Sequence, residues 1–315
     1  MMNKIKKFLG DPYYVLGNYM MKHCPKLMPD KYFLKVKWKR YMGYELDLKH
    51  PKTFNEKLQW LKLYDRKPEY TTMVDKYLAK QWVADRVGEQ YVIPTLAIYN
   101  SAEEIDLNQL PDQFVLKCNH DSGSVVICRD KKSFDFEAAK QKLNNALKKN
   151  YYWDSGEWPY KHVRPLILAE PSLFEPEADD IVDYKMMTFH GKVKCSFTCT
   201  NRRSGKGLNV TFFDTNWEKM PFVRDYPAEI KPIEKPVSYE RMVEMAEKLG
   251  EYIPFSRVDF YEIKGMPYFG EITLYPGAGY EQFDPKEWDR TLGDWIKLPT
   301  DDMKHGVLES NSICE

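Results

Sequence analysis

Ser256-Arg257-Val258-Asp259-Phe260-Tyr261 and Phe269-Gly270-Glu271-Ile272-Thr273 are the stretches on which the reading of this chain turns. Apolar Val258, Phe260, Ile272 and Leu274 alternate with Arg257, Asp259, Glu271 and Thr273, which puts the polar set on one face of a β-hairpin. If Lys264, Gly265 and Met266 form a three-residue loop, Asp259 stands across from Glu271 and Arg257 across from Thr273. A two-residue turn slips the register by one and parts the carboxylates. Directly opposed carboxylates repel, with Cβ atoms about 4.5–5.5 Å apart, so the first register calls for a compensating cation. Hard oxygen donors on a rigid sheet suit Mg²⁺ shared between protein and phosphate oxygens. The plainer reading of the same spacing is an exposed face on which Arg257 partners Asp259 or Glu271.

Lysines placed inside strands bear on the choice. Lys117 ends the apolar run Phe114-Val115-Leu116-Lys117, where a charge is costly unless it meets a partner such as a phosphate; a solvent-facing sheet edge also accounts for it. The following loop, Asn119 to Ser124, leads to a strand over Val125 to Cys128 and carries Ser122, Gly123 and Ser124, whose backbone N–H groups suit phosphates. Lys185 shares a strand face with Asp183 in the hairpin Ile181 to Thr200, turned at His190-Gly191. Glu170 follows the apolar strand Leu166 to Ala169. Neither G-x-x-x-x-G-K-[ST] nor G-x-G-x-x-G occurs.

Elsewhere the pattern is helical. Thr53 and Glu56 form a capping box before Leu58 and Leu61, Asp75 starts a further helix, and residues 133 to 149 read as a surface helix. Antiparallel hairpins separated by helices make an α+β chain. The expected divisions are a basic extension (1–52), a helical region (53–110), a first sheet subdomain with the phosphate loop (111–180), a second with the metal site (181–280), and a C-terminal helix and tail (281–315).

Forty-seven basic residues balance 47 acidic ones, so a nucleic-acid-coating role is not expected. No run approaches the roughly 18–20 apolar residues of a membrane span, and the expected location is cytoplasmic. Six dispersed cysteines indicate neither a zinc site nor a disulfide framework, and Cys195 and Cys199 read as core. Residues 1 to 52 hold 12 Lys and Arg against four Asp and Glu. With Ile5, Phe8, Leu9, Tyr32, Phe33, Val36 and Trp38 interspersed, residues 1–45 are a candidate peripheral contact with an anionic membrane; a helical face docked on the main body is the alternative.

The chain order of a strand lysine and Gly/Ser loop, Glu170, Asp183 with Lys185, then Asp259 and Glu271 before a Pro-Gly loop resembles the ATP-grasp superfamily. Asp75-Lys76-Tyr77-Leu78-Ala79-Lys80 and Val92-Ile93-Pro94 are similar to the segment preceding the ATP-binding core of D-alanine-D-alanine ligase-like members. Phe54-Asn55-Glu56-Lys57-Leu58-Gln59-Trp60, Tyr268 to Thr273 and Trp295-Ile296-Lys297-Leu298-Pro299 look like the TupA-like ATP-grasp family, found among cell-surface polysaccharide biosynthesis proteins. The resemblance spans about residues 53–300. It implies an ATP-grasp fold, two antiparallel-sheet subdomains gripping ATP after a helical N-terminal region.

By residue, it implies that Lys76 and Lys117 approach the phosphates under an Asp121 to Ser124 lid. Glu170 forms the adenine hinge, Asp183 reaches the ribose, and Lys185 reaches the phosphates or acceptor. Asp259 and Glu271 hold Mg²⁺, and Arg257 faces the transferred phosphate. Thr273 stands where many ATP-grasp enzymes carry asparagine. Arg202, with Arg203 and Lys206, offers charge to an anionic acceptor. The helical residues 1–110 depart from the α/β domain that usually helps hold the acceptor.

The implied activity is that of a ligase: ATP phosphorylates a carboxylate and an amine attacks the acylphosphate, giving an amide, ADP and phosphate. The carboxylate is expected to be a uronic acid of a surface polysaccharide or its precursor, saccharide or lipid-linked. Two alternatives remain at this stage, a metal-dependent glycosyltransferase in capsule or surface polysaccharide synthesis, and a nucleotide-binding scaffold without turnover.

Overall fold

The computed structural model describes residues 11–173, 181–202 and 207–299. Helices α1 (Pro12–His23), α2 (Asp30–Met42), α3 (Phe54–Tyr64), α4 (Glu69–Val74) and α5 (Leu78–Val87) precede strands β1 (Ala97–Tyr99), β2 (Phe114–Cys118) and β3 (Val126–Cys128). Then come α6 (Phe136–Leu147), α7 (Tyr151–Ser155), β4 (Ile167–Pro171), β5 (Asp183–Phe189), β6 (Lys192–Thr200), β7 (Asn209–Phe213) and β8 (Val223–Arg224). Helix α8 (Tyr239–Leu249), β9 (Phe255–Ile263), β10 (Met266–Thr273), β11 (Phe283–Asp284) and α9 (Glu287–Trp295) complete the described chain.

The strands form an antiparallel sheet of order β1-β4-β2-β3, a second of order β10-β9-β5-β6-β7, and a short β11-β8 pair. Every one of these pairings is antiparallel, as the hairpin pattern leads one to expect. Helix α6 seals one face of the first sheet, burying Leu143 and Ala146 with Phe114, Leu116 and Ile167. Helix α8 does the same for the second, through Met242, Met245 and Leu249. The opposite faces enclose a cleft. The first sheet reaches back to Ala97 through the β1–β4 pairing, so the region 53–110 is not helical throughout. Three residues are too few to show a period of two in the sequence.

Helix α3 forms where its capping box directs: Thr53 Oγ1 accepts from Glu56 N at 3.2 Å, and Glu56 Oε2 accepts from Thr53 N at 3.0 Å. Its flank is pinned to the far end of the chain. Asn55 donates through N and Nδ2 to Asp289 Oδ1 at 3.0 Å each, and Lys57 Nζ donates to the carbonyls of Gly293 and Ile296 at 2.7 Å. Gly293 permits this contact, because a Cβ there would lie 2.4 Å from Lys52 O.

Phe33, Val36 and Trp38 are buried with Ala278 and Tyr280, so α2 docks on the loop after β10 and these side chains are unavailable to a membrane. Ile5, Phe8 and Leu9 lie outside the described residues. Among the described residues no helix is long and apolar enough to cross a bilayer. Cys118, Cys128, Cys195 and Cys199 are buried and unbridged, as core residues should be; Cys314 lies outside the described residues.

The β9–β10 hairpin combines the two expected geometries. Its turn is the two-residue Lys264-Gly265, with φ of 53° and 76°, the positive pair that type I′ turns require. A β-bulge at Gly270 then absorbs one residue, restoring Asp259 opposite Glu271 and Arg257 opposite Thr273. A Cβ at Gly270 would meet Asp259 O and the Tyr261 ring at 3.2 Å. Gly270→Val should therefore destabilise the fold by about 1–3 kcal/mol, read as a lower urea midpoint with unchanged slope.

Candidate active site

Cross-strand register lines up Glu271, Asp259, Lys185 and Phe197 in one row on the cleft face of the second sheet. Arg257 organises this row. Its Nε and Nη2 donate to Asp259 Oδ1 and Oδ2 at 2.7 and 2.8 Å, and Nη2 also reaches Glu271 Oε1 at 3.0 Å and Thr273 Oγ1 at 2.9 Å. Lys185 donates to Asp259 Oδ2 and sits 3.7 Å from Asp183. Burial works against charging Lys185, but Asp183 and Asp259 hold its ammonium above the ordinary lysine value. Burial likewise opposes ionisation of Glu271, yet Lys76, Arg257 and Lys185 hold its carboxyl down at about 2.

Across the cleft, Glu170 bridges two lysines: Lys80 Nζ lies 2.6 Å from Oε1 and Lys117 Nζ 2.7 Å from Oε2. Glu170 is almost fully buried, and these two cations, Lys117 foremost, overcome the burial and keep its carboxyl below its ordinary value. Lys117 is thus held inside the cleft rather than turned to solvent. Lys80 stands in a segment the sequence marks, but it carries no period that separates it from Lys76. Lys76 Nζ donates to Asp121 O and approaches Glu271 Oε2 at 3.8 Å, which joins the loop after β2 to the carboxylate row.

That loop is tied internally. Ser124 Oγ donates to Asp121 Oδ1 at 2.6 Å and accepts from Cys118 N at 2.9 Å, and Gly123 has φ of 101°. Ser122 is exposed beside it. His120 is buried with Nε2 near the carbonyls of Ala146 and Lys149, 3.2 Å from each, so its ring serves the loop's anchorage.

Lys117, Glu170, Asp183, Arg202 and Tyr261 line one pocket with the apolar Ile93, Val115, Val125, Ile127 and Leu173. Arg202 Nη2 pairs with Asp183 at 2.9 Å, at the apolar end of the cleft and not beside Arg257. Arg203 and Lys206 lie outside the described residues. Sequence reasoning missed Arg224, buried on the two-residue β8, and Glu281, half-buried in the short segment before β11; neither stretch is long enough to show a period.

The donor chemistry suits a divalent cation shared with phosphates. Glu271 is ionised, and the opposed Asp259 and neighbouring Thr273 add hard oxygens. Both Asp259 oxygens are already taken by Arg257 and Lys185, and no group of three or more His, Cys, Asp or Glu that could hold a metal occurs among the described residues.

Two antiparallel sheets closing on a lysine-lined cleft, with an Arg-Asp-Glu row on one wall, define an ATP-grasp protein, the fold of ATP-dependent carboxylate–amine ligases. The chain belongs to the TupA-like ATP-grasp family, whose model matches residues 56–297. No curated protein matches the sequence. Solved structures similar to it include D-alanine–D-alanine ligase from Bacillus anthracis complexed with ATP, at 14% identity and TM-score 0.40, covering 76% of this chain and 67% of that one. L-amino acid ligase from Bacillus licheniformis is another, at 12% identity and TM-score 0.45, covering 79% and 57%. A third is the ATP-grasp ligase PsnB complexed with minimal precursor, Mg and ADP, at 11% identity and TM-score 0.39, covering 89% and 73%.

The depressed carboxyls set an acid limit. Glu170 and Glu271 bind protons more readily unfolded, near 4.5, than folded, so their stabilisation is present above pH 4.5 and is lost as pH falls through the lower folded values, about 2 for Glu271. Melting temperatures between pH 6 and 3 should fall less steeply in Glu271→Gln than in the wild type.

Proposed function

We propose that the protein is an ATP-dependent ligase that joins an amine to the carboxylate of a uronic acid in a surface polysaccharide or its precursor. The observation that carries the ligase reading is the convergence of Lys76, Lys185 and Arg257 on the Asp259–Glu271 pair, with Lys117 on Glu170 across the cleft. A carboxylate approaching a triphosphate brings like charge to like charge, and fixed cations offset that repulsion throughout the transfer. The acceptor carboxylate oxygen bonds to the γ-phosphorus as the bond to the ADP oxygen breaks. The amine nitrogen then bonds to the acyl carbon as phosphate leaves, and the nitrogen gives up a proton.

In this reading Lys76 and Lys117 hold the phosphates, the Asp121–Ser124 loop covers them, and Arg257 orients the transferred phosphoryl group. Glu170 and the backbone beside it receive the adenine, Asp183 the ribose, and Arg202 stands beside Asp183. Mg²⁺, held by Asp259 and Glu271 with Thr273 as a neutral oxygen, would neutralise phosphate charge. The glycosyltransferase alternative loses ground, since the described strands form no parallel βαβ nucleotide domain. The uronic acid and polysaccharide assignments rest on family resemblance.

ATP with Mg²⁺ should raise the melting temperature, while GTP and UDP-sugars should not. At a hundred times its dissociation constant a ligand stabilises by about 2.7 kcal/mol, and a shift with UDP-sugars alone would reverse the assignment. Lys117→Ala should weaken ATP binding at least tenfold. Asp259→Asn and Glu271→Gln should each lower Mg²⁺-dependent ADP release by about 10²–10³ with the fold intact.

We also place the acceptor at an anionic membrane surface. Tyr13, Leu16 and Tyr19 of α1 are 77, 51 and 62% exposed, and Leu27 just beyond is 75% exposed. Nearby Asp11 and Asp30 are neutralised by Lys39 and Arg66, which leaves Lys22 and Lys26 to set the charge of this face. A Leu16→Ser, Tyr19→Ser variant should co-sediment with anionic vesicles at least tenfold more weakly than wild type; equal partitioning would remove the membrane from the account.

A further inference from the structure

Arg224 is 6% exposed, yet its Nε and Nη1 have no hydrogen-bond partner. Its Nη1 lies 3.0 Å from Glu281 Oε2, but the contact is too poorly aligned for a hydrogen bond, and that oxygen too is unpartnered. Buried guanidinium groups ordinarily fill their planar fork with acceptors, so open donors at this depth call for an anion. The guanidinium stacks over Phe197 at 4.4 Å and Phe212 at 5.4 Å, and Arg257 approaches the same Phe197 ring at 5.9 Å. Two arginines therefore flank one aromatic ring, itself the cross-strand partner of Lys185.

Strand β9 supplies the orientation. Its successive cleft residues run from Tyr261, in the pocket with Glu170 and Arg202, through Asp259 to Arg257. Arg224 and Glu281 lie at the Arg257 end, away from the pocket that suits a base. Burial raises the Glu281 carboxyl, with Arg224 and Arg257 only partly offsetting it.

We propose that Arg224 and Arg257 together bind the carboxylate of a uronic-acid acceptor over the Phe197 ring, and that Glu281 is the internal carboxylate which occupies Arg224 in its absence. The subsite rests on the ligase reading. It presents a guanidinium fork for the planar carboxylate at the Arg257 end of β9.

The test is calorimetric titration of D-glucuronate into the full chain, first saturated with Mg²⁺ and a non-hydrolysable ATP analogue. Wild type should bind glucuronate but not D-glucose. Arg224→Met should bind it at least tenfold more weakly with unchanged analogue affinity, and Glu281→Gln should bind it as tightly as wild type or more so. A purely structural Arg224–Glu281 pair would make both variants lose equally or neither lose. Arg224→Lys keeps the charge that Glu281 faces and, lacking the fork, should also lose affinity; it decides the matter if Arg224→Met does not fold. Equal glucuronate binding by wild type and the Arg224 variants, or none by wild type with the analogue bound, overturns the subsite. Failure of wild type to bind the analogue overturns the ligase reading and the subsite with it.

Discussion

Arg257 donates to both carboxylates of the β9–β10 hairpin, and the rest of the structure is arranged so that this shared ion pair survives burial. Two acids facing each other across a strand pair repel in the absence of a cation, and a buried charge without partners is among the costliest defects a core can hold. Arg257 and Lys185 meet both requirements for Asp259, whose oxygens receive three donors. Glu271 is less committed, more exposed, and free to exchange a partner. One carboxylate takes three donors and the other fewer.

The cleft is graded along its length. At the Tyr261 end, apolar side chains from both sheets surround a few polar groups. In the middle, charge dominates. Beyond Arg257 the aromatic content rises again, with Tyr151 and Tyr160 packed together and Glu157 buried beside them; burial pushes the Glu157 carboxyl upward while Lys62, also buried, is pushed downward. Lys62 donates to the carbonyls of Ser155 and Ala278 at 3.0 and 2.8 Å, which ties this end to the helices that precede the sheets. The N-terminal helices thus form part of the wall at this end of the cleft.

Much of this was legible in the sequence because alternation over two strands places Arg257, Asp259, Glu271 and Thr273 on one face whatever the turn. The means by which they meet was not: a two-residue turn with a bulge and a three-residue turn without one produce the same opposition. Lys117 read as a buried charge in search of a partner or as a solvent-facing edge residue, and that it is held by Glu170 depends on β2 pairing with β4, some 50 residues later. Phe33, Val36 and Trp38 admitted a lipid contact beside a docked face, since Ala278 and Tyr280, which cover them, are remote in sequence. Arg202 and Arg224 illustrate the same limit. One lies in an irregular loop and the other on a two-residue strand, where no periodicity assigns a direction.

The clamp between Asn55 and Asp289, with Lys57 reaching over to Gly293 and Ile296, brings the first and last helices of the family-matched segment into contact. The segment's two ends are therefore neighbours in space. A short linker between them would span no cleft and cross no sheet, so the order in which the two halves are translated is not what defines their assembly. Topologically the segment is close to a ring, a geometry compatible with a circular permutant opened elsewhere on the surface.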